Sequence, residues 1–186
     1  MRIMVGSKRR GAEALREEAP EAIILDLTSR AELPWVRFSP FFPHGEIPVP
    51  FSGGWMSRSV EGIWQGLKVF ETQGVDVSKF DVTGMRGIKR TSRKLGKILG
   101  HRKGVDGEEL FGYVEARLAI YIPSYEYMLD HCLVSELKEL AELARRFPVI
   151  LLDYSTNCDP SDSSAPLSHA SLVARRVQSI LSGKKE

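Results

Sequence analysis

The sequence predicts an α+β fold, mainly helical, with a small sheet built from the two ends of the chain. Three observations carry this expectation. Residues 2–5 and 22–27 are apolar runs of strand length, and a helix-length segment, residues 11–18, separates them, which is the order of a parallel βαβ unit. A third such run, residues 149–153 (VILLD), follows Pro148 and can join the same sheet. Between residues 59 and 147, helix-start signals recur with short breaks.

Taken in order, the first run ends in Gly6 and Ser7, and the helix of residues 11–18 stops near Pro20. Residues 35–55 (WVRFSPFFPHGEIPVPFSGGW) hold too much Pro and Gly for a regular helix and stay ordered only if their rings pack. Ser59 is a fitting N-cap for a helix to about Gln73, with Gly74 as its stop, because its hydroxyl can accept from an otherwise unpaired N–H. Residues 91–99 read as helix ended by Gly100, and Asp106 can cap a helix through Tyr121. Pro123 fits the first turn of the next helix, and Ser135 can cap another reaching Phe147, with Leu137, Leu140, Ala141 and Ala144 as its apolar face. The loop 155–166 is polar, a final helix spans 168–181, and Lys184, Lys185 and Glu186 read as a frayed tail.

At 186 residues the expectation is a single domain over 1–186, with a core at about 35–132 and terminal additions at 1–30 and 148–183. Hydrophobic residues at 42% and charged residues at 27% are ordinary globular values and exclude wholesale disorder. A formal net charge of +2 gives no global field for nucleic acid or membrane. Cys132 and Cys158 lack zinc-site spacing, the apolar run before the basic N-terminal cluster is too short for a signal peptide, and no stretch approaches the roughly 18 apolar residues of a membrane span. A cytoplasmic protein without membrane association is the expectation; oligomeric state is left open.

The segment SRSVEGIWQGLKVF (57–70) carries the chemistry. On a helix, Glu61, Trp64, Gln65 and Lys68 share an arc of about 100°, opposite Ile63, Leu67 and Phe70. That is also the pattern of a plain amphipathic helix, with the polar arc in water and Trp64 over the Lys68 stem. Gly62 and Gly66 leave a bare strip suited to a backbone or a ligand, and each weakens a helix by roughly 1 kcal/mol relative to Ala. Glu61 and Lys68 stand about 10.5 Å apart along the axis, so their side chains can converge on a molecule of sugar size. A carboxylate there can orient water or stabilise an oxocarbenium-like centre, and an amine can bond to the sugar or attack its aldehyde form.

Residues 59–68 (SVEGIWQGLK) resemble the central motif of the NADAR or YbiA-like superfamily, and Phe38-Ser39-Pro40-Phe41 resembles its aromatic-Ser-Asn-Phe opening. The resemblance covers about residues 35–132. It implies hydrolysis of N-glycosidic bonds in ribose-phosphate or ADP-ribose derivatives, including ADP-ribosylated nucleobases, without a cofactor or metal. By this resemblance Glu61 is the catalytic carboxylate and Lys68 the amine that reacts with or holds the ribose. Ser59, Trp64 and Gln65 support them, Phe38, Ser39, Phe41 and Trp55 wall the pocket, and Arg93, Lys97 and Arg102 belong to a basic substrate-binding segment, with Asp106 in place of a downstream acid. Gly62 stands where the family has His, Pro40 where it has Asn, and two extra residues separate Trp55 from Ser59.

Residues 86–103 contain Arg86, Lys89, Arg90, Arg93, Lys94, Lys97, Arg102 and Lys103 and no acid. They suit a nucleotide diphosphate or a nucleic-acid backbone, or equally a solvated face over Ile88, Leu95 and Leu99. Gly6-Ser7-Lys8 reads as a βα turn or an anion site; Asp26 and Asp153 read as strand-end ligand groups or backbone caps. His44, His101, His131 and His169 lack ligand spacing, and Cys158 with His169 is the weakest pairing considered.

Overall fold

The computed structural model describes residues 3–183; Arg2 and the expected frayed tail lie outside them. In chain order the strands are β1 (Ile3–Ser7), β2 (Ile23–Asp26), β3 (Ile47–Pro48), β4 (Met56–Ser57), β5 (Lys68–Phe70), β6 (Ile98–Arg102), β7 (Leu110–Phe111) and β8 (Val149–Asp153). The helices are α1 (Ala12–Glu18), α2 (Val60–Leu67), α3 (Ser92–Leu95), α4 (Tyr113–Ala116), α5 (Ile122–Cys132), α6 (Val134–Arg146) and α7 (His169–Ser182). The chain is α+β and mainly helical, and it divides into two compact units, Met1–Ser39 with Leu129–Glu186, and Pro40–Met128.

In the first unit β8 lies between β1 and β2, parallel to both. All five β8 residues are buried, which explains the unbroken apolar run Val149–Leu152 before Asp153 at the strand end: a central parallel strand has no wet face on which to place alternating polar residues. Leu15 of α1 packs on Ile150 and Leu152. Gly6 permits the close pairing, since a Cβ there would lie 2.6 Å from Ile150 Cγ2. The apolar face Leu137, Leu140, Ala141 and Ala144 of α6 is buried, as its spacing predicts. Ser135 is not its cap. Leu133 holds that position, and Ser135 Oγ donates instead to Glu136, whose other oxygen pairs with Arg37 Nε at 2.7 Å.

The strand-end acids are structural. Asp26 pairs with Lys8 at 2.7 Å and accepts from Thr28 N. Asp153 accepts from Tyr154 N and Ser168 Oγ and meets His169 Nδ1 at 2.9 Å, while His169 Nε2 donates to Leu27 O. With both ring nitrogens engaged, His169 has none for Cys158, whose thiol lies beside Thr156 O. The thiol pairing is therefore absent.

In the second unit β6 is the middle of an antiparallel sheet, with Lys68 opposite His101, Val69 opposite Gly100, and His101 opposite Phe111. Two expected helices are shortened by this sheet. The helix begun at Ser59 ends at Leu67, where Lys68 turns extended (φ −67°, ψ 132°) and Lys68–Phe70 becomes a strand. Helix 91–99 is only Ser92–Leu95, because Gly96 at φ +80° breaks it and Ile98–Arg102 pairs with β5. Asp106 is not the cap of this helix: Gly112 holds that position, and the helix then widens into a π turn at Arg117–Tyr121 that runs directly into α5. Pro123 has no N–H for the carbonyl four residues back, which removes an α-type bond at that point.

Candidate active site

Ser59 caps α2 as the sequence predicts, its Oγ accepting from Gly62 N at 3.0 Å, and Glu61 N donates to Pro40 O at 2.8 Å. It is the backbone carbonyl of Pro40 that serves the helix, so this bond does not depend on the side chain at position 40. The glycine strip meets protein. A Cβ on Gly62 would lie 2.7 Å from Lys79 O, and one on Gly66 would lie 2.3 Å from the Phe80 ring. No side chain of the size of His fits at position 62.

Seven of the eight α2 residues are buried, including Glu61 and Gln65, so the polar arc is not a wet face. Gln65 Nε2 donates to Glu61 Oε1 at 2.9 Å, and Gln65 Oε1 accepts from Arg90 N at 3.0 Å. The second bond fixes the orientation of the amide, because only a carbonyl oxygen can accept from a backbone N–H. Any proton on Glu61 is therefore directed to Oε2, which has no hydrogen bond among the described residues. Burial raises the Glu61 pKa above the usual carboxyl range, against the opposing pull of Gln65, Lys68 and Lys89.

The end of α2 is held by Arg90, whose Nη1 donates to the carbonyls of Gln65 and Lys68 and whose Nη2 donates to Gly74 O. A guanidinium is well matched to the unpaired carbonyls of a helix C-terminus. The clamp sits at the helix-to-strand switch, where Lys68 is extended and its Nζ lies 5.8 Å from the Trp64 ring centroid. Burial lowers the Lys68 pKa, as do the Arg90 and Lys89 charges, and Glu61 only partly offsets them. Glu61 and Lys68 thus sense each other's charge, yet no ion pair joins them. Lys68 Nζ has no hydrogen bond among the described residues.

Around Trp64 the structure assembles rings from distant segments. His101 lies against it with centroids 3.7 Å apart and planes tilted by 31°, and Tyr113 and Tyr121 meet it edge-on at 5.9 Å and 5.7 Å. His101 is held neutral, its pKa pushed down to about 3 by burial and then by the Lys68 charge. Arg117, buried on the π turn, lies over Tyr113.

A family model matches residues 7–173. The chain belongs to DUF6939, a family of unknown function. No curated protein matches the chain. The DUF6939 match includes every residue of this site and most of both compact units.

Of the residues singled out in the sequence, Ser59, Glu61, Trp64, Gln65 and Lys68 come together in this DUF6939 chain, and Phe41 joins through Lys89, whose Nζ lies 5.2 Å above its ring. Trp55 instead packs edge-on against Phe80, the ring covering Gly66. Phe38 and Ser39 belong to the first unit, where Phe38 is fully buried beside Trp35. Arg93 and Lys97 are exposed, Arg102 donates to Glu108 O, and Asp106 is exposed. His101, Arg90, Tyr113 and Tyr121 escape the sequence pattern as site residues. Only the cross-strand register of β5 and β6 could have drawn His101 to Lys68.

Proposed function

We propose that the chain hydrolyses an N-glycosidic bond in an ADP-ribose or ribose-phosphate derivative, ADP-ribosylated nucleobases included. The observation that carries the reading is the Glu61–Lys68 arrangement: a buried carboxyl and a half-buried amine that influence each other's charge but form no ion pair with each other. The raised pKa of Glu61 suits an acid that protonates a leaving base, and the lowered pKa of Lys68 suits a neutral nucleophile. The resemblance of residues 59–68 to the NADAR motif supports the same roles. Trp64 offers a wall for the substrate, and Lys89 a cation for phosphate. A cytoplasmic setting suits the two free thiols, Cys132 and Cys158.

The test is a thermal-shift titration with ADP-ribose on wild type and Lys68→Ala, followed by incubation of wild type and Glu61→Gln with ADP-ribosylated and ribosylated bases. A saturable shift in wild type that Lys68→Ala lacks, with base release lost in Glu61→Gln, is the expected result. Base release by Glu61→Gln at the wild-type rate would remove Glu61 from the chemistry.

One observation favours a second reading, binding without turnover. Arg86, Arg93, Lys94 and Lys97 are exposed and none forms an ion pair among the described residues. Oligonucleotide binding with a steep salt dependence, and no product over time, would favour a nucleic-acid-binding protein.

A further inference from the structure

We propose that His101 is the proton acceptor and donor for Lys68, a role that rests on the reading of Lys68 as nucleophile. The two residues are directly opposed across the antiparallel pair of β5 and β6. Directly opposed residues share one sheet face, with β-carbons about 5 Å apart. The His101 ring lies against Trp64 with centroids 3.7 Å apart and planes tilted by 31°, on the same indole over which Lys68 Nζ stands.

The decisive feature is what His101 lacks. It is only 1% exposed, and neither ring nitrogen has a hydrogen-bond partner among the described residues. Buried polar atoms are nearly always satisfied, and an imidazole with two orphaned nitrogens is an arrangement that stability alone disfavours. Lys68, its partner across the strand pair, likewise has no hydrogen bond among the described residues. Around His101 stand Lys68 from β5, Phe111 from β7 and Trp64 from α2, with Tyr113 of α4 against Trp64. Lys68 is the charged group that bears on its proton affinity, and its ammonium disfavours the imidazolium. Burial opposes the imidazolium first and the Lys68 ammonium second, and only the second falls away when Lys68 loses its positive charge.

The reaction then balances as follows. Lys68 Nζ bonds to the anomeric carbon while the carbon–base bond breaks, and the base leaves with the bonding pair and takes the proton of Glu61. The nitrogen of Lys68, now cationic, gives one proton to His101. In the second half a water oxygen bonds to the same carbon, and Glu61 takes the proton of the water. The carbon–Lys68 bond breaks with its electron pair returning to nitrogen, which recovers its proton from His101. Glu61, Lys68 and His101 end in their starting states.

The test uses ribose 5-phosphate, in its open aldehyde form, as the probe, with borohydride trapping read by intact-protein mass spectrometry. Wild type should form an adduct, Lys68→Met none, and His101→Gln an adduct at least tenfold more slowly. An adduct formed at the wild-type rate in a His101→Gln protein of unchanged melting temperature overturns the role of His101 and leaves Lys68 as nucleophile. Absence of an adduct in wild type overturns the nucleophile reading and this inference with it. A second measurement needs no variant at position 101: ring-nitrogen NMR of His101 in wild type and Lys68→Met. His101 should take up its proton at a higher pH in Lys68→Met, and an unchanged titration overturns the proposal.

Discussion

Arg90 holds Gln65 from two directions, its backbone N–H donating to Gln65 Oε1 and its Nη1 to the Gln65 carbonyl, both at 3.0 Å. One residue thereby sets both the end of α2 and the orientation of the amide that faces Glu61. Arg90→Ala should leave the carbonyls of Gln65, Lys68 and Gly74 without these donors. Charge-assisted hydrogen bonds of this kind contribute about 1.5–3 kcal/mol each, with strong non-additivity, so a loss on the order of 3 kcal/mol in urea unfolding is expected. Arg90→Lys should recover little of it, since an ammonium cannot reproduce the planar fork. A loss below about 1 kcal/mol would show that the clamp is dispensable.

Gly66 is expected to be intolerant of the smallest addition. A Cβ at 2.3 Å from the Phe80 ring is a hard overlap, and overpacking of this kind costs about 1–3 kcal/mol, outweighing the gain in helix propensity from Ala. Gly66→Ala should destabilise the protein, and adding Phe80→Leu should recover part of the loss. At Gly62 the obstacle is the backbone oxygen of Lys79 and cannot be trimmed, so Gly62→His should not fold. A folded Gly62→His protein, detected by a cooperative melt, would mean that the segment carrying Lys79 moves aside.

The terminal sheet was legible because its signal is local: a strand buried on both faces is apolar along its length, and residues 149–152 are, with Asp153 at the strand end. The cap at Ser59 was legible for the same reason. The end of α2 was not. Lys68-Val69-Phe70 continues a helical pattern in sequence, and what stops it is Arg90, more than twenty residues away, together with pairing to β6. The glycine strip left a backbone and a ligand as alternatives, and the neighbours are protein, the Lys79 carbonyl at Gly62 and the Phe80 ring at Gly66, because a missing side chain does not say which neighbour fills the gap. For His101 the reason is again distance in sequence: its register against Lys68 is a property of strand pairing, to which no motif corresponds.

Glu61 and Lys68 should both be stability liabilities. The folded pKa of Lys68 lies below the ordinary lysine value of 10.5, so below that pH its ammonium is less favoured in the folded chain than in the unfolded one. Glu61 has the opposite displacement, above the ordinary value of 4.5, and its charged form is disfavoured in the folded chain above that pH. Lys68→Met, which keeps the stem and removes the charge, should raise the melting temperature at pH 7 while abolishing turnover. Glu61→Gln should retain or raise it. A lower melting temperature for Lys68→Met would mean that the ammonium is stabilised by its surroundings rather than merely tolerated.

The Asp153–His169 pair should shape stability against pH. Burial opposes a charged His169, but Asp153 at 2.9 Å and the Leu27 carbonyl outweigh it, so the folded pKa is raised above 6.5. The contribution of His169 is therefore fully present below 6.5, and it is lost as pH rises through the raised folded value. Asp153 is also penalised by burial, yet His169, Ser168 and the Tyr154 N–H bring its folded pKa below 3.8. Its contribution is present above 3.8 and is lost as pH falls through the lowered value. Both are in force together from 3.8 to 6.5. Urea midpoints measured across pH should show the pair's contribution highest in that window, as the difference between wild type and His169→Gln, and that difference should shrink on the alkaline side. A difference that stays constant from pH 5 to pH 9 would mean that His169 binds Asp153 without holding an extra proton.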